Sequence, residues 1–138
     1  MTGPARQHPG LSGGSALVPA DILELIMADH RRIGRLRDVL DDAARHDGGP
    51  GPDWMAGHVW QRLADLLVVH TQAEEHICYL PMFRSGPRAT ERMREPVADH
   101  NDIREIIGEA SMQPVGSARW WRAVRTVLTV SAEHLERE

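Results

Sequence analysis

Val59-Trp60-Gln61-Arg62-Leu63-Ala64-Asp65-Leu66-Leu67-Val68-Val69-His70-Thr71-Gln72-Ala73-Glu74 decides how this chain folds. Val59, Leu63, Leu66 and Leu67 recur at helical spacing, and His70, Glu74 and Ile77 continue the same stripe. Residues i and i+4 share one face of a helix, so this segment turns an imidazole and a carboxylate toward the core together. A glutamate is seldom buried without a partner, and a metal cation would serve as one.

The same pair returns at the end of the chain as His134-Leu135-Glu136-Arg137-Glu138. Each pair follows a lone histidine in a D-H-x-x-I setting: Asp29-His30-Arg31-Arg32-Ile33 before the first, Asp99-His100-Asn101-Asp102-Ile103 before the second. One histidine on an apolar face is commonly a hydrogen-bonded core residue, and one H-x-x-x-E arises readily by chance. Six inward-facing residues in two matching triplets are a different matter. His30, His70, Glu74, His100, His134 and Glu138 form a nitrogen and oxygen donor set suited to two borderline metals such as iron.

Three Pro/Gly-rich breaks divide the chain outward from these motifs: Gly48-Gly49-Pro50-Gly51-Pro52, the stretch from Pro81 to Pro87, and Pro114-Val115-Gly116-Ser117. No piece between them carries the alternation of a strand. Four helices are expected. The first runs from Pro19 or Asp21 to Arg45, with Ile22, Leu25, Ile26, Ile33, Leu36, Leu40 and Ala43 inward. Asp53 can cap the second, and Pro81 is expected to end it. The third spans about Arg88 to Met112, where Pro96 should kink the helix or mark its start. Ser117 can cap the fourth, whose stripe is Trp120, Val124, Val127, Ser131, His134 and Glu138.

Short connections make neighbouring helices antiparallel, so the expected fold is all-α, an up-down-up-down four-helix bundle over residues 19–138. His30 lies 15 residues before Arg45 and His70 lies 17 after Asp53. At about 1.5 Å per residue both then sit roughly 23–26 Å from the first turn. The corresponding mismatch between His100 and His134 is roughly 7 Å, within what a loop can absorb.

At 138 residues the chain suits one domain. Its net charge of −4 offers no basic patch for nucleic acid. All 16 basic residues are arginine. Cys78 is the only cysteine, which excludes an internal disulfide and fits a reducing cytoplasm. No apolar run is long enough to span a membrane, and the Gly-, Ser- and Pro-rich residues 1–18 read as a disordered tail.

With this ligand set and helix order, the chain resembles the hemerythrin-like (HHE cation-binding) family over about 120 residues, from Pro19 to the C-terminus. The resemblance implies a four-helix bundle holding two iron ions, with His30, His70, His100 and His134 as terminal ligands and Glu74 and Glu138 as bridging candidates. It leaves open whether an oxo, a hydroxo or only a carboxylate bridge joins the irons. Oxygen-carrying members place a second histidine one turn after the first on the third helix, where this chain has Arg104, and they end in H-x-x-x-x-D rather than H-x-x-x-E. The chain therefore looks like the bacterial branch with the order H, H-x-x-x-E, H, H-x-x-x-E. Glu138, as the last residue given, is the least firmly held of the six.

Around the site, Asp29 and Asp99 precede their histidines by one residue and so point about 100° away, toward a neighbouring helix or solvent. Glu75 is expected in solvent or an inter-helix ion pair, and could rim the site. Tyr79 reads as an aromatic packed under a loop, or else as a hydrogen bonder to the site. The tryptophans Trp54, Trp60, Trp120 and Trp121 belong at the opposite end, as core and oligomer contacts. Cys78 reads as a small core filler, and His8, His46 and His58 as solvated.

These readings favour a non-haem di-iron protein that binds or reacts with dioxygen, peroxide or nitric oxide, with catalase-like peroxide breakdown as the activity to look for. The alternatives are an iron or oxygen sensor whose folding depends on metal occupancy, and a dioxygen carrier or store, which Arg104 disfavours. Ferritin-like di-iron proteins use a Glu-rich E-x-x-H signature that this chain lacks. The expected partners are these small molecules, with neither nucleic acid nor membrane, and the expected assembly is a monomer or weak homo-oligomer.

Overall fold

A computed structural model describes residues 20–45 and 53–137. The expected tail, the first Gly/Pro-rich break, His8, His46 and Glu138 lie outside the described residues.

Among the described residues there are four long helices and no strand: α1 (Ala20–Arg45), α2 (Asp53–Glu74), α3 (Pro87–Ser111) and α4 (Ala118–Glu136). Contacts between helices fix their directions. From α3 to α4, Glu95 meets Arg137 while Asp99 meets His134. From α3 to α2, His100 meets Glu75 while Arg104 reaches back to Thr71. From α1 to α4, Arg37 meets Leu128 while Ala44 meets Arg125. Each pair runs antiparallel, which gives the expected up-down-up-down order.

The helix ends follow from local chemistry. Ser117 caps α4, its hydroxyl accepting from the Trp120 N–H at 3.2 Å. Gly116 precedes it at φ +84°, a conformation that favours glycine, and a Cβ there would run into the Asp53 carboxylate. Arg125 donates to the Ala44 carbonyl at 2.9 Å, satisfying one of the orphan acceptors at the end of α1.

Pro81 does not end the second helix as expected. After Glu74 the chain widens into a π-helical turn, Glu75–Tyr79, and continues as a short helical segment, Leu80–Phe83. The Leu80 N–H bonds to the carbonyl of Glu75, five residues back. In an uninterrupted α-helix the Pro81 ring would press on the carbonyl four residues before it, and its missing N–H would leave that carbonyl unpaired. A widened turn is a known way to relieve this. It also moves the buried stripe: Tyr79 is buried, whereas Ile77, the expected core position, is only half-buried. Pro96 lies inside α3, so it does not mark that helix's start.

Ile33, Leu40, Leu63, Leu67, Ile103 and Val124 lead an apolar core with Trp60, Trp120 and Trp121 at its base. Each fully buried aliphatic side chain stabilises the fold by about 1.5–3 kcal/mol relative to an exposed one. Trp120 stands edge-on to both other tryptophans, with ring centroids 6.3 Å from Trp60 and 4.7 Å from Trp121. Leu25, an expected core position, is exposed instead at 66%, and Trp54, expected among the core and oligomer contacts, is outside the core at 71%. Both lie near helix starts, where no other described helix covers them. Among the described residues, no helix is long and apolar enough to cross a membrane.

Candidate metal centre

Above this core the bundle interior turns polar. His70, Thr71, Glu74, His100, Ser131 and His134 are all buried. The two hydroxyls are satisfied locally, Thr71 donating to the Val68 carbonyl at 3.1 Å and Ser131 to that of Leu128 at 3.3 Å. The histidines and the carboxylate face one another.

Glu74 stands between two histidine pairs. Its Oε1 lies 2.7 Å from His70 Nε2 and 3.4 Å from His30 Nε2. Its Oε2 lies 3.1 Å from His100 Nε2 and 3.6 Å from His134 Nε2. Within each pair the ring nitrogens converge, at 3.1 Å for His30 and His70 and 2.9 Å for His100 and His134. Two groups of potential metal ligands result, His30–His70–Glu74 and Glu74–His100–His134, sharing one carboxylate. Five of the six expected site residues are thus brought together; the sixth, Glu138, is outside the described residues.

Burial works against the charged form of Glu74, but hydrogen bonds from His100, His134, His30 and His70 outweigh it and hold the carboxyl far below the usual carboxylate range. Tyr79 adds a further donor: its hydroxyl bonds to Glu74 Oε2 at 3.2 Å, and its ring stacks on His100 with centroids 5.3 Å apart.

The outward nitrogens of three histidines face carboxylates. His100 Nδ1 lies 3.1 Å from Glu75 Oε1, and His134 Nδ1 lies 3.4 Å from Asp99 Oδ2. His70 Nδ1 is 3.7 Å from Asp29 Oδ2, close enough for electrostatic attraction but beyond a hydrogen bond. The doubled Asp-His dipeptide now has a physical meaning. Each supplies its histidine to the centre and its aspartate to the ring of the paired histidine on the next helix. The recurrence of Asp before each lone histidine was the available signal for this, and the inter-helix geometry needed to use it is not local. Glu75 looks inward and not only to solvent, because Arg104 donates to its Oε1 at 2.8 Å. Burial opposes the Glu75 charge, yet Arg104 and His100 together keep its carboxyl below the ordinary range.

The donor set fits a cation. In the tautomer in which His100 and His134 give Nδ1 protons to Glu75 and Asp99, in place of Nε2 protons to Glu74, both Nε2 lone pairs face each other and Glu74 Oε2. Three ligand atoms then converge with no proton between them, an arrangement that suits a positive ion at its centre. Imidazole nitrogen with carboxylate oxygen suits iron and zinc better than the all-oxygen cations.

An antiparallel four-helix bundle with histidine pairs gathered around a shared core carboxylate defines a class of helical cation-binding proteins. The model of the hemerythrin HHE cation binding domain matches residues 21–138, and the chain belongs to that family. No curated protein and no solved structure matches it.

Proposed function

We propose that this chain holds a pair of iron ions between its four helices, in the branch with one histidine on α1 and one on α3, and binds or reacts with small oxidants such as dioxygen, peroxide or nitric oxide. The observation that carries this reading is Glu74, whose two oxygens face different histidine pairs. One carboxylate between two donor clusters is the arrangement a paired metal site requires. His30, His70, His100 and His134 would be the nitrogen ligands, Glu74 the bridge, and Glu138 a sixth ligand beside His134. Iron bound there would supply one-electron chemistry.

The protein's own residues bind, orient and exclude water. His70, His100 and His134 are nearly inaccessible to solvent, which keeps the ring nitrogens from being hydrated in competition. Asp99 and Glu75 orient their rings, and Tyr79 holds one oxygen of Glu74. Arg104 occupies the position of the additional histidine of oxygen carriers and is engaged with Glu75, Thr71 and Asn101. That engagement favours reaction or sensing over reversible carriage.

A sensor remains the second reading, favoured by the cluster of polar groups buried in the core, whose desolvation a bound metal would offset. Metal content and the optical spectrum of aerobically purified protein test the main proposal. About two irons per chain with an oxygen-sensitive visible band are expected; a well-folded protein free of iron would sink it. Peroxide added to the iron-loaded protein then separates turnover, seen as sustained oxygen release, from simple binding.

A further inference from the structure

The two halves of the centre are built differently. On the His100–His134 side, each ring is backed by a hydrogen-bonded carboxylate that is itself held by an arginine. Arg104 grips Glu75 at 2.8 Å, and Arg137 reaches Asp99 at 3.2 Å while also pairing with Glu95. On the other side, the Asp29 carboxylate stands 3.7 Å from His70 Nδ1, and Arg32 is 3.9 Å from Asp29. The same chain of ring, carboxylate and arginine is present there, but each link is loose.

Two further differences fall the same way. Tyr79 bonds the Glu74 oxygen that faces His100 and stacks on that ring. The His30 side chain keeps 13% of its surface exposed, against 0% for His100 and 3% for His134. The arginines do bring positive charge toward the tighter half. Each is matched by at least one carboxylate, so the balance there is neutral or negative.

We propose that the two metal positions are unequal: the Glu74–His100–His134 half binds its ion tightly, and the His30–His70–Glu74 half is the exchangeable position, open to solvent beside His30. This rests on the two-metal reading above. Glu75 and Asp99 act as positioning residues, fixing the tautomer and angle of their rings before the ion arrives, so less ordering is left for binding to impose. His70 has no hydrogen bond at Nδ1 and is held through Nε2, the atom the ion would take, so more of its ordering is left to binding.

Anaerobic titration of the metal-free full chain with cobalt(II), followed by its visible ligand-field bands, tests the inequality without relying on activity. Two steps are expected, the first at least about tenfold tighter, in line with the loss caused by removing ring-orienting partners. His30→Ala should keep the tight step and lose the weak one, and His134→Ala should do the reverse. Asp99→Ala should weaken the first step by about 10–100-fold and shift its band, whereas Asp29→Ala should change either step by less than about threefold. Far-UV circular dichroism checks that each variant is folded, and the wild-type titration stands without them. Two equivalents bound with indistinguishable affinity, or the opposite assignment of the steps, would overturn the inequality and leave the paired site intact. Binding of no cobalt, or of one equivalent only, would overturn the two-metal reading itself.

Discussion

Tyr79 donates its hydroxyl to Glu74 at 3.2 Å although the two are five residues apart on one continuous helical path. Five α-helical steps would carry Tyr79 about 140° away from Glu74. The π-helical turn Glu75–Tyr79 takes up one residue and returns Tyr79 to the face that Glu74 occupies. A backbone irregularity next to Pro81 thus delivers a donor to the buried Glu74 carboxylate.

Replacing Tyr79 with Phe removes that donor and keeps the ring. Hydrogen bonds to charged groups contribute about 1.5–3 kcal/mol, so the metal-free variant should lose stability in that range. Urea denaturation measures it; an unchanged midpoint would mean that Glu74 is satisfied by the histidines alone.

Glu74→Gln keeps the shape of the side chain and removes the charge that both histidine pairs share. Iron content should fall from about two per chain to well below one, both positions losing together because a neutral amide is a poor ligand. Retention of one full equivalent after desalting would argue against a common carboxylate.

Arg104→Leu tests the buttress on Glu75. The Glu75 carboxyl is held below its ordinary value in the folded protein, so its contribution to stability is present above the unfolded value of about 4.3 and is lost as pH falls through the folded one. Without the guanidinium the folded value moves back up. The variant should therefore be less stable than wild type at pH 6, and the gap should narrow below about pH 4. Thermal melts of metal-free protein across that window decide; a gap that is constant with pH would assign Arg104 a packing role only.

Ser117→Ala removes the cap of α4 at the end of the bundle opposite the histidines. A loss of about 1 kcal/mol is expected, with metal stoichiometry unchanged. Parallel loss of metal would mean that the two ends are not independent.

Much of this architecture was legible in the sequence because it is local. Helical spacing placed His70 and Glu74 on one stripe, Ser117 marked a cap, and Pro/Gly clusters marked turns. What escaped is what depends on other helices. Leu25 fits a helical pattern yet faces outward, because periodicity does not say whether a neighbour is long enough to cover a helix start. Pro81 is a helix terminator by rule, and the rule does not foresee a turn widened to admit it. Asp99 points away from its own histidine and meets instead His134 and Arg137, 35 and 38 positions later.

That cross-bracing sets the alignment of the helices as well as the chemistry of the rings. Asp99 and His100 both touch the His134 ring, one at each nitrogen, and His100 also meets Glu74 and Glu75 on α2. A slip of α3 by one helical turn, about 5.4 Å, would break all of these contacts at once. The Asp-His dipeptide is therefore a vernier: it admits one sliding position of α3 against α4 and penalises every other, so assembling the bundle correctly and assembling the centre are one event.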